Sequence, residues 1–197
     1  MQRSTLLFLL LLLPISCLFA QETDLFAFNE LRLQTNKKAM TILGSWAIGN
    51  MALGAVLMNK REGTEKYFHQ MNLGWNAVNL GLASLAYLAA AKSDPATFDM
   101  IGSLKEQQKI QKILLFNAGL DIGYMLGGLY LTERSKNTEN RPERLKGFGR
   151  SIILQGAFLF VFDLGFYFAH QSNDKLLHKL IGSLSMNGDG IGFNWVF

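Results

Sequence analysis

Asn117, Asp121 and Tyr124 stand at i, i+4 and i+7 within the apolar run 113–131, a spacing that sets all three on one face of a helix. That run has no Lys or Arg and, at about 1.5 Å per residue, is long enough to cross a bilayer. A carboxyl group at mid-membrane is costly, so Asp121 is expected to face protein or a polar cavity rather than lipid. The run 67–91 repeats the pattern with His69, Asn72, Asn76 and Asn79 on one helical side, and 151–170 carries Gln155, Asp163, Tyr167 and His170 over a broader arc. The run 39–58 contributes Trp46 and Asn50.

Two acids, several amides and tyrosines can bind a cation, relay protons or hold a polar ligand. The candidate binding residues are Asn50, Asn76, Asn79, Asn117, Asp121, Tyr124, Gln155, Asp163 and Tyr167. Asn50, Asn79, Asp121 and Asp163 fall near the middle of their runs and are expected at one level of an antiparallel bundle. Asn76 and Tyr124 are placed just to one side of it, with Asn72 and Gln155 beyond. No span holds a Lys or Arg, so Asp121 and Asp163 are expected to face each other and share a proton, because two close carboxylates in low dielectric do not both ionise. The competing reading is a network that only fixes which helix faces meet, since hydrogen bonds between membrane helices contribute about 0.6 kcal/mol each. On a separate face, Gly119, Gly123 and Gly127 form a small-xxx-small ladder. It is expected to let a neighbouring helix or a second copy of the chain approach closely.

The elements that must carry these residues form one all-α, membrane-spanning four-helix bundle, with spans at about 39–58, 67–91, 113–131 and 151–170. Hydrophobic residues make up 49% of the 197 and charged ones 17%, which is rich for a soluble protein and excludes disorder. Residues 1–20 read as a cleaved signal peptide: Arg3, a leucine core, then Pro14 and Ala20. An uncleaved anchor and a lipid-bearing Cys17 are the alternatives. Residues 23–35 read as a short amphipathic helix lying on the membrane surface. A second amphipathic helix is expected from Ile101, within the polar connector 92–112. Residues 21–175 then constitute the transmembrane domain and 176–197 an external tail, where Ile191, Phe193, Trp195 and Phe197 alternate as in a short β-like segment.

Positive charge sets the orientation. Lys60, Arg61 and Lys66 follow the first span, and Arg134, Lys136, Arg141, Arg144, Lys146 and Arg150 follow the third. The longer connector has only Lys92, Lys105, Lys109 and Lys112. The positive-inside rule puts the two basic loops in the cytoplasm, and a cleaved signal independently puts the mature N-terminus outside. Both termini are therefore expected outside the cytoplasm of a bacterial inner membrane. The net charge of +4 belongs to these loops and not to a nucleic-acid-binding face.

Gly49–Gly54 aligns with Gly123–Gly128, and Asn79-Leu80-Gly81 with Asp163-Leu164-Gly165. The bundle is accordingly expected to be two tandem helical hairpins in one orientation. Cys17 is the one cysteine, which leaves no disulfide framework or thiolate metal cluster. His69 and His170 begin and end different spans, so a bis-histidine haem has no paired ligands at one depth. No nucleotide-binding glycine loop, nucleophile elbow or zinc-helix motif is present. No cofactor, no metal and no catalytic activity are expected. The partners expected are the bilayer and a second copy or another membrane protein, not nucleic acid.

The phrases YFHQMNLGWNAVNLG (67–81), FNAGLDIGYMLGG (116–128) and LKGFGRSIILQGAFLFVFD (145–163) resemble an uncharacterised family of small bacterial four-helix membrane proteins. The resemblance covers residues 25–170. It implies the architecture and no activity. A structural or partner-binding bundle is the leading expectation for function, with a small transporter or a ligand- or ion-binding bundle built on Asp121 and Asp163 as the alternative.

Overall fold

A computed structural model describes residues 2–182, 185–187 and 190–192, with side chains described from Asp24 to Leu177. Four helices account for nearly all of it: α1 (Gln2–Leu57), α2 (Gly63–Lys92), α3 (Met100–Arg134) and α4 (Pro142–Gly182). Beyond α4, Ser185–Asn187 pairs antiparallel with Gly190–Gly192. Residues 2–20, expected as a separate signal, are continuous with the rest of α1. Of the alternating tail residues Ile191 lies in the short pairing, and Phe193, Trp195 and Phe197 lie outside the described residues.

Local chemistry places the helix ends. The Asp99 carboxylate accepts from the Gly102 amide at 2.6 Å and starts α3. Asp94 caps the preceding 3-10 turn Pro95–Thr97 through the Ala96 amide at 2.9 Å. Pro142 opens α4, a position that suits its fixed φ and missing N–H.

The helices run further than expected. Residues 23–35 do not form a separate surface helix but continue α1 through Lys37 and Lys38. The helix expected from Ile101 is the beginning of α3. No Pro or Gly interrupts either junction, and Thr35, which could have capped a new helix, instead donates to Leu31 O within the same one at 2.9 Å. Three helical stretches are long and apolar enough to cross a membrane: Asp24–Leu57, Met100–Asn137 and Pro142–Leu177. The shortest has 34 residues, about 50 Å of helix, longer than the roughly 30 Å needed to cross a hydrocarbon core. α2 has 30 residues but does not reach the same apolarity. The polar stripe that made it a candidate also lowers its mean hydropathy, and that stripe is turned inward: Asn72, Asn76 and Asn79 are all buried.

α4 is the hub, packing on α3, α2 and α1, while α1 pairs with α2 and scarcely meets α3. α2 and α3 do not form a packed pair, so a cleft remains between them with α4 behind it. Trp46 of α1 stacks on Phe158 of α4 with ring centroids 3.9 Å apart, and Phe162 and Phe166 continue that aromatic row. Ala39, Leu43, Ala83 and Phe162 form the main apolar core. Phe28 and Leu177 centre a second cluster at the end that carries the α2–α3 connector. The opposite end holds the basic loops, tied by Arg150 to Glu65 at 2.7 Å.

The glycine ladder requires correction. A Cβ built on Gly119, Gly123 or Gly127 meets nothing within 4 Å, so none of the three packs a described helix. Close approach occurs one residue away and on the other helix. A Cβ on Gly128 would lie 2.6 Å from Gly149 O, and one on Gly156 would lie 3.0 Å from Asp121 O. Gly54 of α1 meets His69 and Leu73 of α2 as its aligned counterpart, Gly128 of α3, meets Gly149 and Ile153 of α4. The two hairpins share this crossing. The same contacts put Asn79 and Asp163 one helical turn out of step, so those two are not equivalent positions.

Candidate site in the cleft between α2 and α3

The polar residues separate into two groups. The first is a closed ring across α1, α2 and α4. Trp46 Nε1 donates to Gln155 Oε1 at 3.0 Å, and Gln155 Nε2 donates to Asn72 Oδ1. Asn72 Nδ2 donates to Asn50 Oδ1 at 2.8 Å, and Asn50 Nδ2 returns to Trp46 O at 2.9 Å. Ser151 Oγ adds a longer bond of 3.4 Å to Asn72 Oδ1. Each amide is used as both donor and acceptor, which is how a buried polar group in an apolar setting is satisfied.

Asn50 therefore does not stand level with Asn79, Asp121 and Asp163. It belongs with Asn72 and Gln155, toward the basic end. The reason lies in the packing: α1 packs on α2 and α4 and touches α3 only sparsely, with Phe28 against Met100 and Leu104 at the connector end, so its mid-span amide does not reach Asp121.

The second group faces the cleft, a volume of about 850 Å³, within the range of ligand sites. Asp121 and Asp163 are 2% and 5% exposed, and their carboxyls are close enough to interact with each other. Asn79, Asn117 and Tyr124 border the same space. Tyr124 of α3 meets Trp75 of α2 edge-on, centroids 5.0 Å apart. Valences stay open here: Asp121 Oδ2 and Asn79 Nδ2 are buried without a hydrogen-bond partner. Asn76 lies behind the cleft wall; its Nδ2 donates to Asn72 O at 2.8 Å, and its Oδ1 is unpartnered. Among the described residues no group of three or more His, Cys, Asp or Glu is placed to hold a metal ion.

Tyr167 does not join either group. It is half-buried and touches the Phe168 ring edge-on at 5.4 Å. An arc broad enough to hold Gln155, Asp163 and His170 spans more than one helix face, and Tyr167 is on the wrong side of it.

Sequence reasoning missed the far end of the cleft. Arg32 of α1 and His170 of α4 border it there, 2% and 1% exposed. Treating 23–35 as a surface helix left Arg32 to reach water. Its position four residues after Phe28 was the available signal, because it places the guanidinium on the stripe that packs. Between the helices, Gln107 Nε2 donates to His170 O and to Asp174 Oδ1, each at 2.7 Å, and Gln111 Nε2 donates to Asp174 Oδ2 at 2.6 Å. These bonds tie α3 to α4 at the end that carries the α2–α3 connector.

A family model described as a family of unknown function (DUF6992) matches residues 42–164, and the chain belongs to that family. Neither a curated protein nor a solved structure matches the chain. The matched segment contains the closed ring, the Asp pair and the cleft face of α2, and stops short of His170.

Proposed function

We propose that this member of the family is a membrane-embedded ligand- or ion-binding bundle and not a catalyst. Its site is the cleft between α2 and α3, with Asp121, Asp163 and Asn79 as polar floor and Asn117 and Tyr124 at its sides. The observation that carries this reading is the contrast between neighbours. The ring around Asn72 is closed, whereas Asp121 Oδ2 and Asn79 Nδ2 are buried without partners beside an 850 Å³ space. Buried polar atoms in native proteins are nearly always satisfied, so open valences beside a cavity call for a bound group. A purely structural role accounts for the ring and leaves the cleft unexplained.

Asp121→Asn and Asp163→Asn test this reading. Asn is nearly isosteric and cannot ionise, so both variants are expected to fold and to melt within a few degrees of wild type. The wild-type melting temperature is expected to respond to pH and to a panel of mono- and divalent cations, and both variants are expected to lose that response. Three superimposable profiles would make the pair a scaffold.

The proposed setting is a bacterial inner membrane, with the signal at 1–20 removed and both mature termini outside. The clustering of Lys60, Arg61, Arg134, Arg141 and Arg144 at one end of the bundle supports it. A reporter enzyme active only outside the cytoplasm should work when fused after Phe197. Inserted after Glu139, in the α3–α4 turn, it should be inactive. The reverse pattern would invert the topology.

A further inference from the structure

Arg32 is the one Lys or Arg that is buried among the described residues, and no described carboxylate stands within ion-pair distance of it. Its side chain is 2% exposed, and the three described ion pairs, Lys109–Glu106, Lys136–Glu133 and Arg150–Glu65, do not include it. One terminal nitrogen donates to Asn29 Oδ1 at 3.1 Å, and the guanidinium carbon lies 4.5 Å from the centre of the Phe98 ring. The Nε has no partner, nor has the buried Nδ2 of Asn29 or the buried Nδ1 of His170. Glu106 also borders the cleft and acts on Arg32 electrostatically from beyond ion-pair distance, but it is partly exposed and bonded to Lys109 at 3.5 Å. A buried charge offset only by a distant, shared and partly hydrated carboxylate is unfavourable, and a closer anion would complete the pairing. A guanidinium fork with open N–H groups is matched to a carboxylate or phosphate.

The depth is as informative as the charge. His170 borders the cleft with Arg32 and stands seven residues past Asp163 on α4, about 10 Å along the helix. With the Asp pair near the bilayer centre, that approaches the edge of a hydrocarbon core whose half-thickness is about 15 Å. From there the cleft runs inward between apolar walls such as Leu82, Leu120 and Phe162. Acid recognition at the membrane boundary and an apolar channel below it are the two ends of one kind of molecule.

We propose that the cleft holds an anionic amphiphile, its carboxylate or phosphate on Arg32 and its hydrocarbon chain lying between α2 and α3. This rests on the reading of the cleft as a ligand site and adds the class of ligand. Part-way along, the chain passes the Asp121–Asp163 pair, where a further polar group on the ligand would find Asp121 Oδ2 and Asn79 Nδ2.

The test uses the purified full chain in an uncharged maltoside detergent with three probes: oleate, oleyl alcohol and oleoyl lysophosphatidate. Oleate and oleyl alcohol share a chain and differ in the acid. Wild type is expected to bind oleate, lysophosphatidate or both roughly tenfold to a hundredfold more tightly than the alcohol, as a charge-assisted bond made away from water implies. Arg32→Gln should abolish that preference and keep the alcohol affinity. The tighter of the two acids identifies the headgroup as carboxylate or phosphate. Equal binding of all three to wild type would overturn acid recognition and leave the cleft as an apolar ligand site. Binding of none would remove amphiphiles from the cleft, with the cation response of the Asp pair still judging the broader reading on its own. A preference that survives in Arg32→Gln would overturn the role of Arg32. The wild-type ratio decides the ligand class even if that variant fails to fold, and Arg32→Lys, which keeps the charge without the fork, should then retain a reduced preference.

Discussion

Gly149→Leu is expected to prevent α3 and α4 from seating against each other. A Cβ at Gly149 would lie 2.5 Å from Gly128 O and 2.9 Å from Thr132 N, both backbone atoms. No rotamer change relieves a clash with backbone, so the helices must move apart along the most extensive interface in the bundle. The loss should reach or exceed the upper end of the usual overpacking cost of about 1–3 kcal/mol. Gly123→Leu adds the same side chain where nothing lies within 4 Å and should leave the melting temperature of the monomer unchanged. Thermal unfolding of the two purified variants checks both statements. A Gly149 variant as stable as wild type would mean that the crossing is not held at this distance.

Asn72→Leu is the second large effect. Asn72 accepts from Gln155 and Ser151 and donates to Asn50, so three bonds disappear together. At about 0.6 kcal/mol per bond between membrane helices this is roughly 2 kcal/mol. Stranding the Gln155 amide and Asn50 Oδ1 in an apolar interior adds a further desolvation cost of about 1–3 kcal/mol. The variant should be clearly less stable and should retain any ligand or cation response, because the ring does not border the cleft. Loss of the response without loss of stability would place Asn72 in the site.

What could be read in advance followed from periodicity. Runs of 3.6-residue spacing gave the helices, and Asn72, Asn76 and Asn79 on 67–91 and Asp121 on 113–131 turned inward because an amide or carboxyl facing lipid has no partner, whereas Asn117 is only half-buried and Tyr124 is exposed. The proximity of Asp121 and Asp163 was legible for the same reason, both being mid-span acids without cations at their level. Helix ends were not, since the missing stop signals at Lys37–Lys38 and before Ile113 gave less contrast than the change in hydropathy did. The role of each glycine was hidden too. Gly123 and Gly128 look alike in a spacing pattern, and which of them meets a helix depends on rotation about the axis. The division of the polar residues into ring and cleft needed the knowledge that α1 touches α3 only sparsely, at the connector end. Arg32 was hidden by its charge, which argued for the surface while its place after Phe28 put it inside.

The most direct measurement is thermal unfolding of wild type, Asp163→Asn and Asn72→Leu across pH and across a cation panel, in one detergent and one laboratory. If the polar centre is a site beside a scaffold, Asn72→Leu will melt lower with the wild-type response intact. Asp163→Asn will melt near wild type with a flat response. The account is contradicted if both variants fall together with the response unchanged, because the Asp pair would then be a second structural bond and the cleft would have no polar centre of its own.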